Sequence, residues 1–288
     1  MGIGFVLVIL SAVLFGIMPV LAKQIYTMGG NSLSLCVYRF LFSIPFLWGV
    51  VKRSKEDSLS VTKEQMRKVL ILSLGYAGTP LLLFQSYQYL SSGMATTIHF
   101  VYPILVLLGS ALIYHEKMTR LKIVCAGLCM AGILCFYTPG QTAGMKGVAL
   151  AFCSGITYAF YILYFSKSGL AELSPYKLSI YLSIFSTLWL LLAALGTGQL
   201  ITDISWKAWA LTIVFSLMVA VFASVFFQIG TSRIGAEKAS LLSTFEPLTS
   251  VVVGVIFFKE QLILKSVGGI VCILLAVLLL AASEKKRA

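Results

Sequence analysis

Residues 93–116 read GMATTIHFVYPILVLLGSALIYHE, and residues 237–260 read EKASLLSTFEPLTSVVVGVIFFKE. Each stretch is an apolar run broken by one proline, Pro103 or Pro247, with an acidic residue thirteen positions further on, Glu116 or Glu260. The two stretches lie 144 residues apart throughout. An apolar run of this length fits the thickness of a bilayer's hydrocarbon layer better than the core of a small soluble domain. Working outward, Ser11-Ala12 and Phe15-Gly16 match Ser154-Gly155 and Tyr158-Ala159 at an offset of 143, and Phe84-Gln85 matches Phe227-Gln228 at the same offset. The chain therefore reads as two copies of one unit.

Short charged clusters divide the remainder into runs of similar length. Spans are expected at 2–22, 33–51, 69–90, 93–114, 121–138, 146–166, 176–196, 206–230, 237–258 and 264–282. Ten spans in two copies put five in each, and an odd number inserts the second copy upside down relative to the first. The expected fold is all-α: a polytopic membrane protein of ten transmembrane helices arranged as two inverted five-helix repeats. The first repeat is expected over 1–138 and the second over 146–282, with a basic tail at 283–288. The first run lacks a basic n-region and a small-residue cleavage site before Lys23, so it reads as a retained span and not a signal peptide.

Composition agrees. With 59% hydrophobic and 11% charged residues, the chain carries too much apolar surface for a water-soluble fold. So little sequence lies between the spans that no ATP-binding cassette or nucleic-acid module has room to fold. The net charge of +12 needs no anionic partner. With a cytoplasmic N-terminus, 16 Lys and Arg fall on the inner side and five on the outer: Lys23, Lys146, Lys207, Lys259 and Lys265. That asymmetry predicts an inner-membrane protein with both termini in the cytoplasm. All six cysteines lie in apolar runs and read as small buried residues, with Cys125 and Cys129 the only pair one helical turn apart.

The two half-repeats, Tyr38-Arg39-Phe40, the path from Gly93 through Pro103 to Glu116 and its twin from Gly235 through Glu246-Pro247 to Glu260 together resemble the drug/metabolite transporter superfamily, specifically its ten-helix EamA branch. The resemblance covers essentially the whole chain. It implies a solute carrier without a cofactor, commonly an exporter of amino acids, metabolites or toxic compounds, with a cavity between the halves.

Candidate residues follow from the cost of polarity in lipid. Glu246 is the only acidic residue well inside a span, where an ionised carboxylate costs roughly 2.5–3.5 kcal/mol without compensation. Ser243, Thr249 and Ser250 share its helical face, so the stripe is expected to line a cavity as part of a substrate or proton site, the alternative being a structural hydrogen bond. Pro247 and Pro103 remove backbone bonds and are expected to free the carbonyls of Ser243 and His99 near mid-span. His99, with Thr96 and Tyr102, forms a matching stripe that suits either proton exchange or a neutral hydrogen bond. Gln85, its twin Gln228 and Gln88 offer amide donors and acceptors, and Tyr76, Tyr158 and Tyr161 offer aromatic walls. Arg39 is expected to snorkel or to meet a carbonyl cluster in a structural or gating role. Glu116 and Glu260, at helix C-termini where acidic charge is disfavoured, read as hinges or gate contacts beside Lys117 and Lys259.

Together these predict binding of a zwitterionic, cationic or aromatic amphiphilic solute. No catalytic or metal-ligating set is expected: His115-Glu116-Lys117-Met118-Thr119 lacks the second histidine of H-E-x-x-H, and no P-loop occurs. A carrier of this kind runs on gradients, with proton or ion coupling compatible. A flippase of lipid headgroups is the nearest alternative within transport, and a membrane sensory protein outside it. Ten spans suffice for a functional monomer, and a homodimer is equally compatible.

Overall fold

The computed structural model describes residues 2–53, 59–115, 118–135, 142–234, 242–243, 245–261 and 263–285. The helices are α1 (Gly2–Thr27), α2 (Ser32–Arg53), α3 (Lys63–Ser86), α4 (Ser92–His99), α5 (Tyr102–Tyr114), α6 (Arg120–Leu134), α7 (Thr142–Lys167), α8 (Pro175–Gly196), α9 (Trp206–Ser216), α10 (Ser224–Ile234), α11 (Phe245–Phe258) and α12 (Leu264–Lys285). A 3-10 turn at Leu170–Glu172 precedes α8, and a π-helical turn at Leu217–Ala223 joins α9 to α10. No strand occurs among the described residues. Among the described residues, seven helical stretches are individually long and apolar enough to cross a membrane, counting α4 with α5, and α9 with the start of α10, as one each. Adding α6, α11 and α12 completes ten spans.

Among the described residues, the fourth and eighth spans depart from ideal helix, each with an identifiable cause. The fourth breaks at Phe100–Val101, because Pro103 has no N–H to continue the ladder and instead starts α5 within its first turn. In the eighth, the π turn widens the helix, and its loosened carbonyls take side-chain donors: Ser11 Oγ donates to Ala223 O at 2.7 Å and Ser224 Oγ to Val219 O at 3.0 Å.

Which helices touch reveals the symmetry. The first span packs on the ninth (α1 with α11), and the sixth packs on the fourth (α7 with α4 and α5). The third packs on the sixth (α3 with α7), and the eighth on the first (α10 with α1). The second meets the seventh (α2 with α8), and the fifth meets the tenth (α6 with α12). Exchanging the two halves turns this set of contacts into itself. Five-helix copies of opposite orientation related by an in-plane two-fold give that pattern. Large apolar side chains such as Leu112, Ile256, Phe257 and Leu264 face outward, where lipid replaces water as their solvent. Small residues sit at the crossings, where close backbone approach substitutes for the hydrophobic drive that lipid removes.

Candidate functional site

The centre of the molecule is the junction of α1, α4, α5, α7 and α11. Glu246 does not sit in mid-helix as the 237–258 span predicts; it lies in the first turn of α11, with Pro247 next to it. The proline favours a helix start, and the unpaired amides of that start are the least costly place in a helix for a carboxylate. Its repeat twin, Tyr102-Pro103, begins α5 in the same manner. The Ser243 carbonyl, expected to be freed by Pro247, accepts the Glu246 N–H at 3.0 Å. The Glu246 carboxylate is half-buried, and no hydrogen bond or ion pair reaches it from the described residues. It lies within electrostatic reach of Tyr87, Tyr102 and Tyr158. Side chains that approach one another from α3, α5, α7 and α11 cannot all face lipid.

The stripe beyond Glu246 is used in packing. Ser250 Oγ and Thr96 Oγ1 are 3.0 Å apart, and Ser250 Oγ donates to Ser92 O at 3.1 Å, which fastens α11 to α4. Thr249 lies against Gly16 of α1, where a β-carbon would fall 2.5 Å from Thr249 Cβ and 2.7 Å from the Glu246 carbonyl oxygen. Only glycine allows α1 to come so near the start of α11.

His99 ends α4 and is almost fully buried, with its Nδ1 2.9 Å from Ser154 Oγ of α7. Its carbonyl, left without a proline donor, faces Gly155, and a β-carbon there would stand 3.2 Å away. The His99 ring approaches Tyr102 at 5.6 Å and Tyr158 at 5.5 Å. From there the rings continue without a gap: Tyr102 to Tyr158 at 4.6 Å, Tyr158 to Tyr161 at 5.7 Å, Tyr161 to Tyr76 at 5.4 Å and Tyr76 to Phe40 at 5.2 Å. The three tyrosines singled out by sequence thus join one aromatic wall that runs from α5 through α7 and α3 to α2.

Arg39 closes the far end of that wall. It does not snorkel: its side chain is 7% exposed, lies over Phe40 at 5.1 Å and Phe84 at 5.8 Å, and leaves Nε buried without an acceptor. Six residues of depth and a ring on either side hold the guanidinium in the interior, where cation–π contact replaces part of its hydration. Tyr87 is buried between the two charges, within electrostatic reach of both Arg39 and Glu246, and its hydroxyl lies near Thr96 without forming a hydrogen bond of good geometry. Buried polar atoms without partners are rare, and Arg39 Nε and the Tyr87 hydroxyl are two of them, while Arg39 and Glu246 are not paired with each other.

Gln85 lies elsewhere. With Gln88, Asn31, Tyr89, Lys146 and Gln199 it lines a separate polar pocket of about 320 Å³ at the end of α3. The side chain of Gln228 and all of Glu116 fall outside the described residues, as do Gly235 and Lys117. Glu260 is held by Lys23, at 2.7 Å, and by Ser92. All six cysteines are free, and no cluster of three metal-ligating side chains occurs among the described residues. Sequence reasoning missed Tyr87, Ser154 and Lys23. Lys23 had a detectable signal, a basic residue at a span end opposite the repeated acidic position, whereas Tyr87 had none.

The sequence pattern of the EamA-like transporter family matches residues 2–138 and again 145–282. An uncharacterized transporter of Synechocystis is 23% identical over 306 residues, covering 96% of this chain and 92% of that protein. Another, from Archaeoglobus fulgidus, is 25% identical and covers 94% of both. The threonine/homoserine exporter RhtA of Escherichia coli is 25% identical over 231 residues, 79% of this chain and 76% of the exporter. A solved crystal structure only 13% identical superposes on 98% of this chain and 98% of its own, with a TM-score of 0.69. With two matched domains, ten helical spans and a contact pattern symmetric between its halves, this multi-pass membrane protein belongs to the EamA-like transporter family and is a transporter, not an enzyme.

Proposed function

We propose that the protein exports a small dipolar solute, an amino acid or a metabolite of similar charge, by alternating access, and that Glu246 and Arg39 receive its two charged ends. The observation that carries this reading is the pair of interior opposite charges, unpaired with each other and joined by a tyrosine-rich wall. A carboxylate favours an ammonium group and a guanidinium favours a carboxylate, so one solute with both groups compensates both residues at once. Without such a solute, each charge is a standing cost in a low-dielectric interior. Tyr76, Tyr102, Tyr158 and Tyr161 supply contact area and hydroxyl donors, while His99 positions the break in the fourth span through Ser154. The similarity to an exporter of threonine and homoserine supports both the direction and the charge type. The excess of Lys and Arg on one side supports an inner-membrane orientation with cytoplasmic termini. Pro103 and Pro247 then serve as hinges for the rocking halves, and monomers suffice.

The test is efflux of radiolabelled threonine and homoserine from proteoliposomes, alongside a neutral sugar and a dicarboxylate. The wild-type protein should release a zwitterion faster than protein-free vesicles. Glu246→Gln and Arg39→Met should each lower that rate at least tenfold, the loss of about one charged hydrogen bond. Equal efflux of all four solutes, or rates unchanged by both substitutions, would refute the assignment.

A further inference from the structure

We infer that Lys23, Glu260 and Ser92 form an ionic latch that keeps one membrane face closed, with Lys167 and Tyr114 belonging to its counterpart on the opposite face. The inference rests on the alternating-access reading, but its test needs no knowledge of the solute.

The latch joins three separate segments. Lys23 Nζ at the end of α1 meets Glu260 Oε1 at 2.7 Å, with the two side chains 20% and 12% exposed. The same carboxylate accepts the Ser92 backbone N–H at 2.9 and 3.0 Å and Ser92 Oγ at 3.0 Å, at the first turn of α4. Lys23 also lies 4.8 Å over the Phe258 ring. Gly254 makes room: a β-carbon there would run into the Glu260 carboxyl group. The contact ties α1 and α4 of the first half to the α11–α12 turn of the second, so it persists only while that face is shut.

Its counterpart emerges at the repeat offset. Lys167 stands 144 residues after Lys23, and Tyr114 stands 144 before Phe258. Lys167 Nζ lies 4.8 Å over the Tyr114 ring, and again one partner comes from each half. The turn that delivers Glu260 is repeated as well. Among the described residues, the only two non-glycine positions with positive φ are His115 at 55° and Lys259 at 51°, also 144 apart. A left-handed residue of this kind carries strain and is kept where the surrounding structure demands it. By sequence, the residue that follows this turn is acidic in both repeats. Lys23 and Phe258 are half-buried, and Lys167 and Tyr114 are exposed.

Hydrogen exchange of the purified protein in nanodiscs, without solute, tests this. An ion pair intermediate between exposed and buried should shift the opening equilibrium about tenfold when removed. Lys23→Met should speed exchange at residues 92–97 by that factor and slow it at residues 110–115. Lys167→Met should do the reverse, and the double variant should return both segments towards wild type. Glu260→Gln provides a second probe and should match Lys23→Met in sign. If each substitution loosens only its own face, the contacts are static staples and the inference is overturned. It is equally overturned if neither segment responds. Failure of zwitterion efflux with this reciprocity intact would refute the solute assignment and leave the latch standing.

Discussion

Replacing Gly16 with alanine probes the packing that positions Glu246. The new β-carbon would sit 2.5 Å from Thr249 Cβ, 2.9 Å from Thr249 Cγ2 and 2.7 Å from the Glu246 carbonyl oxygen. Ordinary contacts between such atoms fall near 3.5–4.0 Å, so roughly 1 Å of extra separation is needed. The Glu246 oxygen belongs to the backbone and has no rotamer to escape into, so α1 and α11 must move apart. Overpacking of this kind costs about 1–3 kcal/mol. Gly127, in α6, is the control, since a β-carbon there meets nothing within 4 Å. Alanine at that position should stabilise the helix by about 0.5–1 kcal/mol through its propensity. The two variants should therefore differ by about 1.5–4 kcal/mol in reversible unfolding in mixed micelles, with Gly16→Ala the weaker. It should also lose transport in greater proportion than stability, because the displaced segment carries Glu246. Equal stability of the two variants would refute the close approach of α1 to α11.

Two further outcomes follow from the hydrogen bonds. Ser250→Ala removes one hydroxyl from a pair of bonds between α11 and α4, and should lower stability by about 0.6–1.5 kcal/mol in the same unfolding assay. Ser154→Ala leaves His99 buried without its partner and should cost about 1–3 kcal/mol, with the double variant His99→Phe/Ser154→Ala recovering part of that loss in a double-mutant cycle.

The ten spans and the inverted repeat were legible in the sequence because lipid imposes length on every apolar run, and the Pro-to-Glu spacing recurs at one offset. Tyr76, Tyr158 and Tyr161, read from the sequence as aromatic walls, stand in ring contact with one another. The position of Glu246 within its helix was not legible. A proline in an apolar run can kink a helix or begin one, and the difference depends on what packs across the break. For the same reason Ser250 and Thr96, read as cavity lining, bond to each other. Gln85 shares a mid-span position with its twin by sequence alone, yet its side chain joins a pocket at the end of α3. The salt bridge between Lys23 and Glu260 spans 237 positions, and its one trace in the sequence is a basic residue at a span end opposite the repeated acidic position. The π turn in the eighth span likewise has no sequence mark, because Ser11, which satisfies one of its carbonyls, lies in the other half.

The central claim is that the Glu246 carboxylate faces a water-accessible void between the two halves. Its most direct measurement is thiol labelling of a Glu246→Cys variant, made in a background where the six native cysteines are serine, using a small water-soluble cationic reagent and a lipid-soluble maleimide. The aqueous cation should react, at a rate that threonine or homoserine lowers. Reaction with the lipid-soluble reagent alone, or with neither reagent in a folded protein, would contradict it.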